Sequence, residues 1–184
     1  MAIIVVVGLP GSGKDVLIQA AISLRYKHIR MGDVVRRFAK LEKIKQDDAS
    51  IGGFATEQRK IHGDDIWALR TLEKMPSGDA VIDGSRSLTE IRKFKKAFGE
   101  KLTVIGIAAS KEKRFQRLKD RKRSDDPNTM KEFEARDNRE ISWGILGALA
   151  NADVVLENEG TIEDFRETCK RTLVDLKSAH GKSI

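Results

Sequence analysis

Several residue types are scarce in this chain of 184 residues, and each scarcity excludes a class of protein. The single cysteine, Cys169, excludes an internal disulfide framework and a cysteine metal cluster. Aromatic residues make up only 5% of the chain, which argues against a stacking platform for single-stranded nucleic acid. No apolar run approaches the length of a membrane span, and the first one lacks a basic leader or a cleavage-like site. We therefore expect a globular, cytoplasmic protein.

Charge, in contrast, is abundant. Charged residues make up 34% of the chain, and the formal net charge is +7. Such a basic balance raises the possibility of a nucleic-acid partner. The basic residues are spread over several predicted helices, however, and many lie near motifs suited to phosphate, so this partner is disfavoured. The length suffices for one domain with a full core and is short for two, which predicts a single domain over residues 1–184.

A glycine-rich loop follows the first apolar run and precedes a helix-like segment. The run, residues 2–7, is β-branched and apolar, as expected of a strand buried on both faces of a parallel sheet. The order strand, loop, helix is the context that a Gly-x-x-x-x-Gly-Lys phosphate loop requires. Its backbone N–H groups and the helix N-terminus form a cradle for a di- or triphosphate. The residues predicted to hold a nucleotide there are Gly8, Leu9, Pro10, Gly11, Ser12, Gly13, Lys14 and Asp15.

The last two residues of this loop carry charge. Lys14 is predicted to reach the outer phosphates as a point charge, which makes it a candidate catalytic residue; the alternative, a chance lysine in an ordinary turn, is disfavoured because motif and context agree. Asp15 stands where the usual pattern has Ser or Thr, whose hydroxyl ligates Mg²⁺. A carboxylate is also a hard oxygen ligand. Since it would lie close to phosphate oxygens of like sign, a contact with Mg²⁺ through water is favoured over a direct one.

Strand-like and helix-like segments alternate along the rest of the chain. Short apolar runs typical of strands occur near residues 27–30, 80–83, 102–108 and 153–156. The intervening segments carry apolar residues at helical spacing. This alternation predicts an α/β fold in which a doubly wound, parallel, five-stranded sheet lies between two layers of helices. Residues 43–53 are polar and include Gly52 and Gly53, which predicts a loop.

The predicted strand at 80–83 ends in Asp83-Gly84-Ser85-Arg86. Ligands of open α/β sheets bind beyond the carboxyl ends of the strands, so Asp83 and Arg86 are predicted to face the same crevice as Lys14. Asp83 can hold Mg²⁺ through water, and Arg86 can clamp a phosphate with its planar guanidinium. An Asp-Gly pair alone is most often only a turn, but its place after an apolar strand strengthens the functional interpretation.

The densest charged segment runs from residue 110 to residue 126. Three of its arginines lie three and four residues apart on one face of a predicted helix: Arg114, Arg117 and Arg121. The segment is either a solvated helix or an arginine lid, residues 110–140, that closes over the transferring phosphoryl group. We favour the lid, because a phosphate loop needs such a partner and no other segment offers one. Arg117 and Arg121 are then candidate catalytic residues.

Two further segments are predicted to line the site of a second substrate. Residues 36–75 form a helical insert between strands, although ordinary packing helices are an equally good interpretation. Arg136 and Arg139, on the helix that follows the lid, are predicted to reach inward toward this substrate.

Taken together, these motifs resemble the nucleotide-kinase branch of P-loop proteins. The likeness spans almost the whole chain and is greatest to an archaeal family related to adenylate kinase and dephospho-CoA kinase. It is carried by the phosphate loop, Gly32-Asp33 with Arg36, the segment from Asp83 to Arg86, the lid from Arg117 to Arg123, and residues 152–158. The resemblance implies the strand order 2-3-1-4-5, with ATP as phosphoryl donor and Mg²⁺ as cofactor.

The resemblance also implies roles for individual residues. In adenylate kinases the Gly-Asp-x-x-Arg and Asp-Gly-x-x-Arg segments are linked to the phosphate of the acceptor nucleotide, which implies acceptor binding by Asp33, Arg36 and Arg86. The second segment is here one residue shorter and lacks the proline of the family's pattern. Asn158 lies near the loop that commonly touches the adenine of ATP. Asp33 joins Asp15 and Asp83 as a predicted Mg²⁺ site.

The sequence thus predicts an ATP- and Mg²⁺-dependent phosphotransferase that acts on a small nucleotide or nucleotide-like acceptor. A nucleoside-monophosphate-like acceptor ranks slightly above dephospho-CoA. A nucleotide-dependent ATPase or switch with a protein or nucleic-acid partner is the alternative from another class.

Overall fold

A computed structural model of the chain describes residues 1–121 and 126–181, with side chains up to residue 179. Five strands in this part of the chain form one sheet in which every pairing is parallel. They are β1 (Ile3–Val7), β2 (Lys27–Arg30), β3 (Ala80–Asp83), β4 (Leu102–Ala108) and β5 (Val154–Glu157). Their order is β2-β3-β1-β4-β5. The predicted α/β fold, the doubly wound sheet and the implied strand order are therefore confirmed.

Helices connect the strands and cover both faces of the sheet. They are α1 (Lys14–Ser23), α2 (Met31–Leu41), α3 (Asp48–His62), α4 (Ile66–Leu72), α5 (Leu88–Phe98), α6 (Lys111–Arg121), α7 (Met130–Ser142), α8 (Ile145–Ala150) and α9 (Ile162–Gly181). A 3₁₀ turn, Gly99–Lys101, leads from α5 into β4. Among the described helices, none combines the length and the apolar character that crossing a bilayer would require.

The central strand β1 supplies side chains to two separate cores. Ile3, Val5 and Val7 pack on one face, in the cluster that also contains Trp67 and Phe94. Ile4 and Val6 face the opposite way, toward α1 and α9. Because successive side chains of a strand alternate between faces, a continuous apolar run is what a strand covered on both sides requires. This arrangement explains the β-branched, apolar sequence of residues 2–7.

The prediction that residues 43–53 form a loop is wrong for their second half, because α3 already begins at Asp48. The side chain of Asp47 caps this helix by accepting a hydrogen bond of 2.8 Å from the Ser50 backbone N–H. That bond, together with Lys45, lowers the pKa of Asp47 to about 2. Gly52 is accepted inside the helix because Arg139 packs against it, and a Cβ there would lie 2.9 Å from Arg139 Nε. The glycines and polar residues of this stretch obscured its helical character.

Candidate functional site

The glycine-rich loop connects β1 to α1 beyond the carboxyl end of the strand. Gly11 and Gly13 have φ angles of 79° and 105°, in the left-handed region that favours glycine. Both also lack space for a side chain: a Cβ on Gly11 would collide with the Arg114 carbonyl oxygen, and one on Gly13 with Asn158 Nδ2. A cradle that only glycine can form, leading directly into a helix N-terminus, fits a bound polyphosphate.

Lys14 lies folded over this loop. Its Nζ donates hydrogen bonds to the carbonyl oxygens of Gly8 at 2.5 Å and Leu9 at 3.1 Å. Burial lowers the pKa of Lys14, and the nearby carboxylates of Asp83 and Glu140 partly offset this effect. The loop therefore holds a desolvated positive charge, which interacts with a phosphate more strongly than an exposed lysine would.

A cleft of about 350 Å³ opens beside the loop at the carboxyl ends of the central strands. The predicted site residues that line it are Pro10, Gly11, Gly13, Lys14, Asp15, Arg36, Asp83, Arg86, Arg117, Arg121 and Arg136. Six predicted residues are not part of this lining: Gly8, Leu9 and Ser12 of the loop, Asn158, Asp33 and Arg139. The Asp33 carboxylate is outside the lining and pairs with Arg36 at 3.2 Å. Arg139 pairs with Asp48 and lines an adjoining pocket instead.

Asp83 and Asp15 bring their carboxylates to the cleft. Asp83 ends β3 and is 9% exposed; its Oδ2 lies 3.8 Å from Arg30 Nε. Its buried Oδ1 has no hydrogen-bond partner within residues 1–121 and 126–181. An unpaired carboxylate oxygen is suited to bind Mg²⁺, because this cation prefers oxygen ligands. No cluster of three or more His, Cys, Asp and Glu side chains occurs among the described residues, and Mg²⁺ is usually held by one or two carboxylates together with phosphates and water.

Arg117 and Asn158 together join α6 to the phosphate loop. Arg117 Nη2 donates to the backbone oxygen of Asn158 at 3.0 Å and to its side-chain oxygen at 3.1 Å. Asn158 Nδ2 in turn donates to the Ser12 carbonyl at 2.8 Å. These hydrogen bonds connect the segment after β5 to both the loop and α6.

Arg121 bridges the two arms of the predicted lid and the loop. Its Nε and Nη2 donate to the two carboxylate oxygens of Asp126, at 2.9 and 2.5 Å. Its Nη1 lies 3.3 Å from Asp15 Oδ2. Arg121 thus places a positive charge beside the residue that follows Lys14. The predicted lid residues Lys122 and Arg123 lie outside the described residues.

Arg114, the first arginine of the series, is buried and ties α6 to its neighbours. Its guanidinium forms two hydrogen bonds with the Asp137 carboxylate, at 2.7 and 2.6 Å. Its Nη1 also donates to the Pro10 carbonyl at 3.2 Å. Because a buried ion pair tolerates little misalignment, this contact fixes α6 and α7 against the phosphate loop. The described part of α6 is therefore anchored, and the interpretation as a merely solvated helix does not apply to this face.

Two buried glutamates near the cleft, Glu90 and Glu140, were not predicted from the sequence. Glu90 is fully buried, and its carboxylate accepts from the Arg86 backbone N–H at 2.6 Å and from Arg59 Nη2 at 2.9 Å. In the sequence, Glu90 ends the Ser-x-x-Glu pattern at residues 87–90, which is typical of a helix cap and gives no sign of the contact with Arg86. Glu140 lies 3.1 Å from Arg86 Nε and also lines the cleft. Its only signal was the spacing of four residues from Arg136 on the same helix face.

These glutamates place negative charge beside the Arg86 guanidinium. Burial lowers the pKa of Arg86, but the negative charges of Glu140, Asp83 and Glu90 outweigh this effect and raise it overall. The guanidinium also donates to the Gly84 carbonyl at 2.5 Å. Arg86 is therefore held at one position, between the glycine-rich loop and the helices α2, α3 and α7.

The parallel sheet, the glycine cradle and the buried lysine define a protein of the P-loop type. A family model described as an AAA domain matches residues 7–134. The UPF0200 protein of Thermoplasma acidophilum is 44% identical over 180 residues, which cover 97% of this chain and 99% of that protein. The chain belongs to the UPF0200 family, and its residues 7–134 belong to the AAA domain family.

Two solved structures show the same fold at low sequence identity. A gluconokinase from Sinorhizobium meliloti is 16% identical, with a TM-score of 0.59 and coverage of 100% of this chain and 98% of that chain. A dephospho-CoA kinase from Campylobacter jejuni is 20% identical, with a TM-score of 0.56 and coverage of 97% of this chain and 98% of that chain. The fold is that of the P-loop kinases, and the predicted family resemblance is confirmed.

Proposed function

We propose that the protein is an ATP- and Mg²⁺-dependent phosphotransferase that acts on a small nucleotide or nucleotide-like acceptor. The observation that carries the proposal is a single cleft in which a buried lysine over a glycine cradle lies among six arginines: Arg30, Arg36, Arg86, Arg117, Arg121 and Arg136. Such a site has donor-phosphate contacts at one end and cationic contacts for an acceptor and a migrating charge at the other. The kinase folds of the similar structures support this proposal.

The loop and Lys14 bind the donor in this mechanism. Backbone N–H groups of the loop and the Lys14 ammonium contact the terminal phosphates, and Asn158 holds the following segment against Ser12. When bound, Mg²⁺ neutralises charge on the donor phosphates. Asp83 and Asp15 are the residues that would hold the ion or its waters. Asp33 lies outside the lining of the cleft and would be farther from the ion.

The arginines position the acceptor and stabilise the charge that develops during transfer. Arg36 and Arg86 bind the acceptor, and Arg136 and Arg139 provide further cationic contacts to it. Arg117 and Arg121 face the phosphoryl group. The acceptor oxygen attacks the terminal phosphorus as the bond to the ADP oxygen breaks, so no nucleophilic side chain is needed. Catalysis then comes from alignment and from positive charge around the phosphoryl group.

The experiment that tests this function is a screen of ATP consumption with candidate acceptors. Nucleoside monophosphates, dephospho-CoA and phosphorylated metabolites are each added to the purified protein with ATP and Mg²⁺. We expect one acceptor class to raise ADP formation at least tenfold above the rate without acceptor, with a phosphorylated product. Preferential use of dephospho-CoA would select the alternative kinase, whose fold this chain shares. Slow hydrolysis that no acceptor stimulates would contradict phosphotransfer and favour the ATPase or switch.

Replacing Asp15 with serine tests the unusual end of the phosphate loop. We expect Asp15→Ser to keep or improve Mg²⁺-dependent turnover, because a hydroxyl can take the usual ligand position and a negative charge near the phosphates is removed. Turnover is measured as a function of Mg²⁺ concentration. Asp120→Ser, on the exposed side of α6, is the matched control. Complete loss of activity in Asp15→Ser alone would show that the carboxylate has a role that a hydroxyl cannot fill.

A further inference from the structure

A second pocket adjoins the cleft and is enclosed largely by α2, α3 and α7. We call it the side pocket; its volume is about 100 Å³. Arg86 and Glu140 line both the cleft and the side pocket, so the two spaces meet at these residues. A group bound in the side pocket would therefore lie next to the cleft in which we propose that phosphoryl transfer occurs.

Apolar and cationic side chains form different parts of the side-pocket lining. The apolar part includes Val35, Ile51 and Trp67. In the cationic part, the guanidinium carbons of Arg59 and Arg139 lie 4.7 and 5.8 Å from the centre of a Trp143 ring. Cation–π contacts at these distances hold a guanidinium in a defined orientation. The hydrogen bond of 3.1 Å from Trp143 Nε1 to Thr56 Oγ1 fixes the indole itself.

Arg59 and Arg139 each have at least one N–H donor without a hydrogen-bond partner among the described residues. Arg59, 9% exposed, uses Nη2 for Glu90, while its buried Nε and Nη1 have no hydrogen-bond partner in the described part of the chain. Arg139 uses Nη2 for Asp48, and its buried Nε likewise has no partner among those residues. Buried donors are rarely left unpaired, because desolvation without a partner is costly. An oxyanion is the group that would satisfy such donors and match the guanidinium geometry.

The arginines of the side pocket are already paired with carboxylates. The five that line it are Arg36, Arg59, Arg86, Arg136 and Arg139. They form ion pairs with Asp33, Glu90, Glu140, Asp126 and Asp48, respectively. The inference of an anionic ligand therefore rests on the donors of Arg59 and Arg139 that have no partner among the described residues.

We propose that the side pocket binds an anionic group of the phosphoryl acceptor, a carboxylate or a phosphate, through Arg59 and Arg139. This inference rests on the proposed function, and it narrows the acceptor to molecules that carry such a group in addition to the oxygen that receives the phosphoryl group. Gly52 is part of the arrangement, because its missing side chain leaves the space that Arg139 occupies.

Inorganic phosphate and acetate are the probes that test this site. The protein is first saturated with Mg²⁺ and the non-hydrolysable analogue AMP-PNP, which fills the phosphate loop. Each probe is then titrated by calorimetry at constant ionic strength. We expect one probe molecule to bind per chain, and the preference between the two probes distinguishes a phosphate site from a carboxylate site.

Three variants connect the measured binding to the side pocket. Arg139→Gln and Arg59→Lys should weaken binding of the preferred probe at least tenfold. Lysine at position 59 preserves the positive charge next to Glu90 but lacks the planar set of N–H donors of the guanidinium. Gly52→Ala should weaken it similarly without changing any charge, because the new methyl group displaces Arg139. Arg92→Gln, at an exposed position of α5, is the control and should bind as the unmodified protein does.

Two results would overturn the inference: neither probe binds, or Arg139→Gln and Gly52→Ala bind as tightly as the control. Failure of AMP-PNP itself to bind is a separate result that contradicts the proposed function. Binding of AMP-PNP without binding of either probe contradicts only the side-pocket inference.

Discussion

Lys14→Ala is expected to lower kcat/KM for ATP by about a thousandfold, because it removes the buried charge that faces the donor phosphates. The variant should remain folded. Burial disfavours the charged form of Lys14 and lowers its pKa, so the ammonium in this position opposes folding rather than stabilising the native state. The free energy of unfolding, measured in denaturant, should therefore fall by less than about 1 kcal/mol. Steady-state ADP formation measures the effect on activity.

An exposed lysine provides the control for this experiment. Lys40→Ala removes one positive charge from α2 outside the cleft, so it should change the rate by less than about twofold if only local charge matters. Turnover retained in Lys14→Ala would remove the central residue from the mechanism. Equal losses in both variants would indicate that general surface charge, rather than the loop lysine, governs the rate.

Arg121→Ala is expected to lower kcat by about a hundredfold and to change the KM for ATP by less than about threefold. The reason is that Arg121 lies 3.3 Å from Asp15 at the end of the phosphate loop, where the proposed mechanism needs positive charge for the moving phosphoryl group. An interaction made mainly in the transition state affects kcat more than ground-state binding. Rapid-quench measurement of a single turnover separates this step from product release.

Two variants define what Arg121 contributes. Arg121→Lys keeps the charge but not the paired hydrogen bonds to Asp126, so it should recover part of the rate. Lys119→Ala, on the exposed side of α6, controls for charge and helix propensity. A reduced affinity for ATP with an unchanged kcat would contradict a role in the transition state and would make Arg121 a donor-binding residue.

The fold could be predicted from local patterns because they were unambiguous. The run at residues 2–7 and the runs near 80–83 and 102–108 are continuous and apolar, which marks strands covered on both faces. The helix over residues 48–53 could not be predicted in the same way. Its stability depends on the cap formed by Asp47 and on the packing of Arg139 against Gly52, and both contacts appear only in three dimensions.

The site was predictable where a motif fixes the backbone and less so where distant residues meet. Asp83 ends β3, Arg86 lies in the turn after it, and Lys14 follows the loop that leaves β1, so topology alone brings them to one edge of the sheet. Glu140 comes from α7, more than fifty residues after Arg86, and no local pattern announces that the two pair. Asp33 shows the opposite case: its motif indicated a metal site, but its carboxylate faces Arg36 outside the cleft.

The most direct test of the central claim is a calorimetric titration of the folded protein with ATP and with GTP in the presence of Mg²⁺. A phosphate loop at residues 8–15 that grips a polyphosphate predicts saturable binding of at least one of these nucleotides, with one site per chain and strong weakening in Lys14→Ala. Absence of binding to both nucleotides, in protein shown to be folded by circular dichroism, would contradict the account.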